Sequence, residues 1–124
     1  MKLFTQAQYQ KLRKNGSEAH SGKDHKPVVK WFTPDANATW LVTEIIDENT
    51  AFGLCDLGLG YPELGYIDLE DIQNLQGPLG MYVERDLHFE ADFPLSAYTE
   101  AAMFRITEDP DDLLAAQQRL KRKA

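Results

Sequence analysis

Residues 39–57 read TWLVTEIIDENTAFGLCDL, and this stretch decides the fold. Thr39–Ile46 and Ala51–Leu57 are rich in β-branched, aromatic and aliphatic residues, which favour strands. The four residues between them, Asp47-Glu48-Asn49-Thr50, have the polar composition of a turn. The stretch therefore predicts an antiparallel hairpin.

The pairing of this hairpin indicates where it lies in the sheet. With the turn at residues 47–50, Ile46 pairs with Ala51 and Glu44 pairs with Gly53, and both faces are mainly apolar. A hairpin with one face in water alternates more regularly between apolar and polar residues. We therefore expect a central hairpin with both faces covered, and with Glu44 on an otherwise apolar face beside a glycine.

Further elements follow on both sides of the hairpin. Val28–Thr33 and Glu63–Asp68 have strand composition, a short helix is predicted from Asp68 to about residue 75, and Leu79–Phe89 is predicted to be extended. The sequence predicts an α+β fold: a small, mainly antiparallel sheet of about five strands with short flanking helices.

The two ends of the chain carry helix signals. Thr5-Gln6-Ala7-Gln8 matches a capping box, and Asn15-Gly16 is a typical helix stop, so we predict a helix over about 5–14. Residues 15–27 are polar and aperiodic, which is typical of a mobile loop. Asp109-Pro110 begins a basic helix over 110–124, whose thin apolar stripe predicts fraying or packing on a partner. A chain of 124 residues is expected to form a single domain, 1–124.

Charge is distributed unevenly along the chain. The net charge of −7 comes from 13 Lys and Arg against 20 Asp and Glu. Residues 1–30 carry a net +5, residues 31–112 a net −16 and residues 113–124 a net +4. An acidic body repels nucleic-acid phosphates and attracts basic partners, whereas the simplest alternative is solubility with internal pairing of the ends and the middle.

Several classes are excluded by composition. No apolar run approaches the roughly 20 residues that a membrane span requires, and no secretory signal is visible at the start. Cys55 is the single cysteine, so an internal disulfide and a cysteine zinc cluster are both excluded. We expect a cytoplasmic protein that does not bind membranes.

Six sequence blocks between residues 28 and 99 resemble one family. The blocks are FTPDANATW (32–40), FGLCDLG (52–58), ELGY (63–66), GPLG (77–80), ERDLHF (84–89) and PLS (94–96). In order and spacing they are similar to the family catalogued as domain of unknown function 2958. The resemblance implies a bacterial plasmid or integrative conjugative element as the context, and it implies no established activity.

The segment from Glu84 to Glu90 is the first site candidate. In a strand, Glu84, Asp86, His88 and Glu90 would project from one face, and three carboxylates with one imidazole are typical ligands for a divalent metal. Asp86, His88 and Glu90 are the metal candidates, for a small metal-dependent hydrolase or nuclease. The alternative is a solvated strand edge whose charges oppose aggregation.

Glu44 and Asp56 form a second candidate, since each is an acid in an apolar hairpin. Desolvation would raise the pKa of such a carboxyl and suit it to proton transfer. The alternative is a structural carboxylate bonded to Arg85, Arg105 or a backbone N–H. Together with Asp86 and His88, these two are the catalytic candidates, although we favour a protein that is not an enzyme and predict no cofactor.

Histidines elsewhere are weaker candidates. His20 and His25 lie in the predicted loop, and their spacing matches no strong metal template. Cys55 is expected to be a small core residue.

The preferred hypothesis is an acidic module that binds a basic protein, including a DNA mimic that occupies a host protein's DNA site. The predicted contact residues are the acids of the body with one arginine: Asp35, Asp47, Glu48, Glu63, Glu70, Asp71, Glu84, Arg85, Asp86 and Glu90. A third hypothesis is nucleic-acid binding through the basic ends, with Lys11, Arg13, Lys14 and residues 119–123 as contacts.

Overall fold

The computed structural model describes residues 2–19 and 21–123. Within them, the elements are α1 (Gln6–Ser17), β1 (Val29–Phe32), β2 (Thr39–Ile45), β3 (Thr50–Asp56), β4 (Glu63–Asp68), α2 (Leu69–Asn74), β5 (Glu84–Arg85), α3 (Leu95–Ala101) and α4 (Pro110–Lys123). The strands form one antiparallel sheet in the order β4-β3-β2-β1-β5. The predicted α+β class and its five-stranded antiparallel sheet are confirmed.

Helices cover both faces of the sheet, as the apolar hairpin predicts. On one face, α1 and α2 pack on a cluster that contains Trp31 and Trp40. On the other face, α3 and α4 pack on a cluster that contains Leu41, Leu54 and Tyr98. Strands β2 and β3 therefore lie at the centre of the molecule, with an apolar layer on each side.

The predicted register of the hairpin is wrong for two reasons. The turn is shorter than predicted, since Thr50 already belongs to β3 and its carbonyl accepts a hydrogen bond from the Ile46 amide, and β2 contains a β-bulge. Ile45 pairs with Ala51, Glu44 pairs with Phe52 rather than Gly53, and the register shifts between Val42 and Glu44. Thr43 is the extra residue, and such a residue reverses the alternation of faces beyond it. Glu44 consequently lies on the face that α3 and α4 cover, whereas Ile45 joins the cluster under α1.

Helix α1 continues through the predicted stop. The capping box at Thr5 and Gln8 is present, but the helix ends at Ser17 instead of residue 14. A Cβ on Gly16 would lie 2.0 Å from the Ile45 carbonyl oxygen, so glycine is required for the close approach of α1 to β2. Asn15 is buried, and its Nδ2 donates a hydrogen bond of 2.9 Å to the Thr43 carbonyl at the bulge. Asn15 and Gly16 therefore hold α1 against β2, and the helix continues past them.

The segment after α1 is attached to α3. The Leu95 amide donates to the His25 carbonyl over 2.9 Å, and the Ser96 amide donates to Asp24 Oδ1 over 3.1 Å. Because residues 15–17 belong to α1, the loop begins later than predicted; its mobility stays a prediction. His20 lies outside the described residues.

The extended segment predicted over 79–89 is present only in part, around β5. Only Glu84–Arg85 forms a strand, which pairs with β1. The chain then turns at Asp86, whose Oδ1 accepts a hydrogen bond of 2.9 Å from the His88 amide. The hydrogen bond from the His88 amide to the Asp86 side chain thus ends the strand, although the alternating sequence pattern predicts that it continues to residue 89.

Helix α4 begins at Pro110 as predicted and packs on α3. Its Leu113 and Ala116 are buried, while its last turn carries Lys121, Arg122 and Lys123. Fraying of this helix stays a prediction. Among the helices in residues 2–19 and 21–123, none has the length and apolar character needed to cross a membrane.

Candidate functional site

A cleft of about 350 Å³ lies on the α3 side of the sheet, and we call it the Glu44 cleft. Strands β2 and β3, the segment before β1, helix α3 and the end of α4 form its walls. Its lining residues are Lys23, Asp24, His25, Thr43, Glu44, Phe52, Leu64, Leu95, Ser96, Thr99, Glu100 and Leu120.

Most polar groups of the cleft are already bonded within the protein. Asp24 binds the amide and hydroxyl of Ser96. The Thr43 hydroxyl donates to the Phe52 carbonyl, and the Thr99 hydroxyl donates to the Leu95 carbonyl. These groups are therefore satisfied without a ligand.

The charged side chains on the rim are also paired. Lys23 forms an ion pair with Glu18. Glu100 lies 2.7 Å from Lys123 Nζ and 3.5 Å from Arg119 Nε. The hydrogen bond from Lys123, followed by the charge of both basic groups, holds the pKa of Glu100 below its usual value. An acid of α3 thus pairs with two basic residues at the end of α4.

Glu44 is the exception among these acids. It is partly buried, and its carboxylate forms no hydrogen bond or ion pair with any residue in the described ranges. Burial raises the pKa of Glu44, and the charge of nearby His25 lowers it by a smaller amount. The Nε2 atom of His25 is buried and has no hydrogen-bond partner in the same part of the chain. Within the cleft, the Glu44 carboxylate and His25 Nε2 are thus polar groups without a hydrogen-bond partner among the described residues.

Sequence reasoning selected Glu44 as a site candidate but missed its neighbours. It placed Glu44 opposite Gly53, on the other face of the hairpin, and it did not connect His25 with Glu44. The bulge at Thr43 brings them together, and no local feature of the sequence marks that residue. Composition revealed only that a carboxylate lies in an apolar strand.

Asp56, the other hairpin acid, has a structural environment. It is buried, at 5% exposure, and its two oxygens accept hydrogen bonds from the Gly58 amide at 2.9 Å and the Ile106 amide at 3.0 Å. It also lines a second cleft of about 640 Å³ beside Lys30 and Arg105. Asp56 ties the end of β3 to the segment before α4.

The segment from Glu84 to Glu90 does not gather its acids. Because the chain turns at Asp86, the alternating projection of Glu84, Asp86, His88 and Glu90 is absent, and His88 is exposed. Asp86 lies 3.6 Å from Lys30, which also contacts Glu108 at 2.5 Å. In the ranges 2–19 and 21–123, no group of three or more His, Cys, Asp or Glu side chains is arranged to hold a metal ion.

Asp35 supports a loop of the chain. Its Oδ2 accepts hydrogen bonds from the amides of Leu79 at 2.7 Å and Met81 at 3.3 Å. A Cβ on Gly77 would lie 1.8 Å from Asp35 Oδ1, so the carboxylate occupies the space that this glycine leaves. The FTPDANATW block, through Asp35, therefore contacts the GPLG block at residues 77–80.

Five exposed acids gather at one end of the sheet, which we call the acidic end: Asp47, Glu48, Asp68, Glu70 and Asp71. Asn49 holds this end together, because its carbonyl accepts from the Leu69 amide and its Oδ1 accepts from the Glu70 amide. Hydrogen bonds from the Asn49 and Asp71 amides, respectively, lower the pKa of Asp47 and of Asp68. None of the five forms an ion pair with a residue that the structure describes.

The other predicted contact residues are spread over the sheet edges. Glu63 is exposed on β4, at one edge. Glu84 and Arg85 lie on β5 at the opposite edge, where Arg85 donates to the Lys2 carbonyl over 3.2 Å. Glu90 is exposed beyond the turn. Cys55 is partly buried, and burial raises its pKa to about 11, which disfavours a thiolate.

Comparison with known proteins gives one match. A family model described as "Protein of unknown function (DUF2958)" matches residues 3–106. No curated protein and no solved structure matches the chain. The match includes the sheet, α3 and the segment up to Ile106, and it ends before α4.

Proposed function

The chain belongs to the DUF2958 family, and we propose that it is a non-enzymatic accessory protein of a mobile genetic element that binds a basic site on another protein. The observation that supports this proposal most directly is the acidic end, where five exposed carboxylates lie without ion pairs to described residues. Such a surface creates a negative potential that attracts a basic partner.

The charge of the rest of the protein supports the same proposal. Three basic residues pair with acids outside the acidic end: Lys30 contacts Asp86 and Glu108, and Arg119 and Lys123 contact Glu100. The same pairs reduce the charge that the chain ends can offer to nucleic-acid phosphates. A protein partner that itself binds DNA in the bacterial cytoplasm would have the required basic site, which is the DNA-mimic form of the proposal.

Affinity capture with matched charge variants tests the proposal. The wild-type protein, the acidic-end variant E48Q/E70Q/D71N and the control variant E63Q/E90Q/D92N are immobilised, and bacterial host lysate is passed over each. All six substituted residues are exposed, and each variant loses three negative charges.

We expect wild-type and control protein to retain the same partner, and the acidic-end variant to lose it. Binding of the purified partner should weaken as salt concentration rises, because salt screens exposed charges. For a DNA mimic, the protein should also displace duplex DNA from that partner. Equal retention by both variants, or retention that salt does not affect, would contradict the proposal.

A further inference from the structure

The Glu44 cleft holds a carboxylate that accepts no hydrogen bond from the part of the chain that the structure describes. Asp24, Thr43, Ser96 and Thr99 are all bonded inside the protein, whereas Glu44 bonds to none of the residues in the described ranges. Because the Glu44 side chain is only partly buried, its carboxylate is accessible to water or to a donor that enters the cleft. A ligand with a suitably placed donor could therefore bind to this carboxylate.

The charge of the cleft selects a cation. Asp24, Glu44 and Glu100 line it. On its rim, Lys23 is paired with Glu18 and Lys123 with Glu100, and His25 is the basic group whose charge acts on Glu44. An anion would meet three carboxylates. A divalent metal would need a cluster of ligands, which residues 2–19 and 21–123 do not form.

The remaining walls of the cleft are apolar, which favours a ligand with a hydrocarbon part. Phe52, Leu64, Leu95 and Leu120 line the same cleft. A volume of about 350 Å³ admits a short chain with a charged head, and small-ligand sites combine apolar walls with a few polar groups in this way. The unpartnered Nε2 of His25 adds a second polar group at the wall.

We propose that the Glu44 cleft binds a protonated amine or guanidinium on an apolar stem, with the Glu44 carboxylate as its ion-pair partner. The head would donate charge-assisted hydrogen bonds to Glu44, and the stem would contact Phe52 and Leu95. The same chemistry is present in a free alkylamine and in a lysine or arginine side chain of another protein. This site is separate from the acidic end, and the inference does not depend on the function proposed above.

Titration by NMR tests the inference. The probe is n-pentylammonium, observed through backbone amide shifts of the intact protein. Two control compounds separate the contributions of head and stem: 1-pentanol has the stem without the charge, and ammonium chloride has the charge without the stem. The variants are E44Q, the control E63Q on the exposed edge strand, and the acidic-end variant E48Q/E70Q/D71N.

We expect saturable shifts at residues 25, 43, 44 and 52 with n-pentylammonium. E44Q should weaken binding about tenfold or more, which corresponds to loss of one charge-assisted interaction. E63Q and the acidic-end variant should bind as the wild type does, which separates a failure of this site from a failure of the proposed function. An amide spectrum of E44Q with unchanged dispersion verifies its fold.

A second arm distinguishes the sources of the cation. An acetylated tetralysine peptide that binds more tightly than n-pentylammonium indicates a protein side chain, and the reverse order indicates a free amine. Absence of saturable shifts with both probes, equal binding by E44Q, or equal binding of 1-pentanol would overturn the inference.

Discussion

Asp56 and Glu44 are both acids of the β2–β3 hairpin, and the protein surrounds them differently. Asp56 is almost fully buried and receives two backbone N–H groups, one of them from Ile106, which lies 50 residues away. Glu44 is less buried and receives none from a described residue. The two acids therefore differ in the number of donors around them: Asp56 is satisfied within the fold, whereas Glu44 remains open to an outside donor.

Removal of the Asp56 carboxylate should give the largest change in stability. D56A removes the carboxylate that accepts from the amides of Gly58 and Ile106, and hydrogen bonds to charged groups contribute roughly 1.5–3 kcal/mol each. We expect the free energy of unfolding to fall by about 3 kcal/mol, measured by urea denaturation. The exposed control E63Q should remain within about 0.5 kcal/mol of the wild type. A loss below about 1 kcal/mol for D56A would show that Asp56 is not structural.

Asp35 resembles Asp56, and its contact with Gly77 should give an intermediate change. G77A places a methyl group where the carboxylate lies, so Asp35 must leave the amides of Leu79 and Met81. We expect G77A to lower the unfolding free energy by about 1.5 kcal/mol.

The double variant D35A/G77A sharpens this prediction. Once the carboxylate is absent, the added methyl group meets no obstacle from it. The loss in the double variant should therefore be smaller than the sum of the single losses by roughly 1 kcal/mol, a coupling typical of residues in contact. Strict additivity in denaturation experiments would contradict the contact.

Glu44 and Glu100 should respond to pH in opposite directions, with the smallest effects. A raised folded-state pKa means that ionisation of Glu44 opposes folding, so stability from this group is present below its unfolded pKa of about 4.3 and is lost as pH rises through the folded value. E44Q should thus be as stable as the wild type, or more stable, at pH 7.

The lowered pKa of Glu100 has the reverse sign. Its contribution is present above the unfolded pKa and is lost as pH falls through the folded value, so E100Q should be less stable than the wild type at pH 7. Thermal unfolding at pH 3 and pH 7 measures both variants, and both differences should shrink at pH 3. Two shifts of the same sign at pH 7 would contradict the contrast between paired and unpaired acids.

Local signals in the sequence predicted the elements well. The capping box at Thr5 and the Asp109-Pro110 helix start act over a few residues, and both are confirmed. A turn follows Ile46 as predicted, but it is shorter than 47–50 because Thr50 already belongs to β3. The apolar character of both hairpin faces also predicted cover on both sides.

The features that the sequence could not predict depend on contacts between residues that are far apart in the chain. Asn15 and Gly16 look like a helix stop, but they contact Thr43 and Ile45 across 28 and 29 residues and extend the helix. The carboxylates of Asp35 and Asp56 likewise find backbone N–H groups 44 and 50 residues away. Of the candidate site, only Glu44 was predictable, because its partners depend on a bulge that another element stabilises.

The bulge at Thr43 determines which side chain of β2 faces the cleft. If Thr43 instead took a regular place in the alternation, Glu44 and Ile45 would exchange sides of the sheet, and a carboxylate would enter the apolar cluster that contains Leu12. A relative with a one-residue gap at position 43 would lack the bulge and still keep Glu44 on the cleft side, because the residues that remain already alternate.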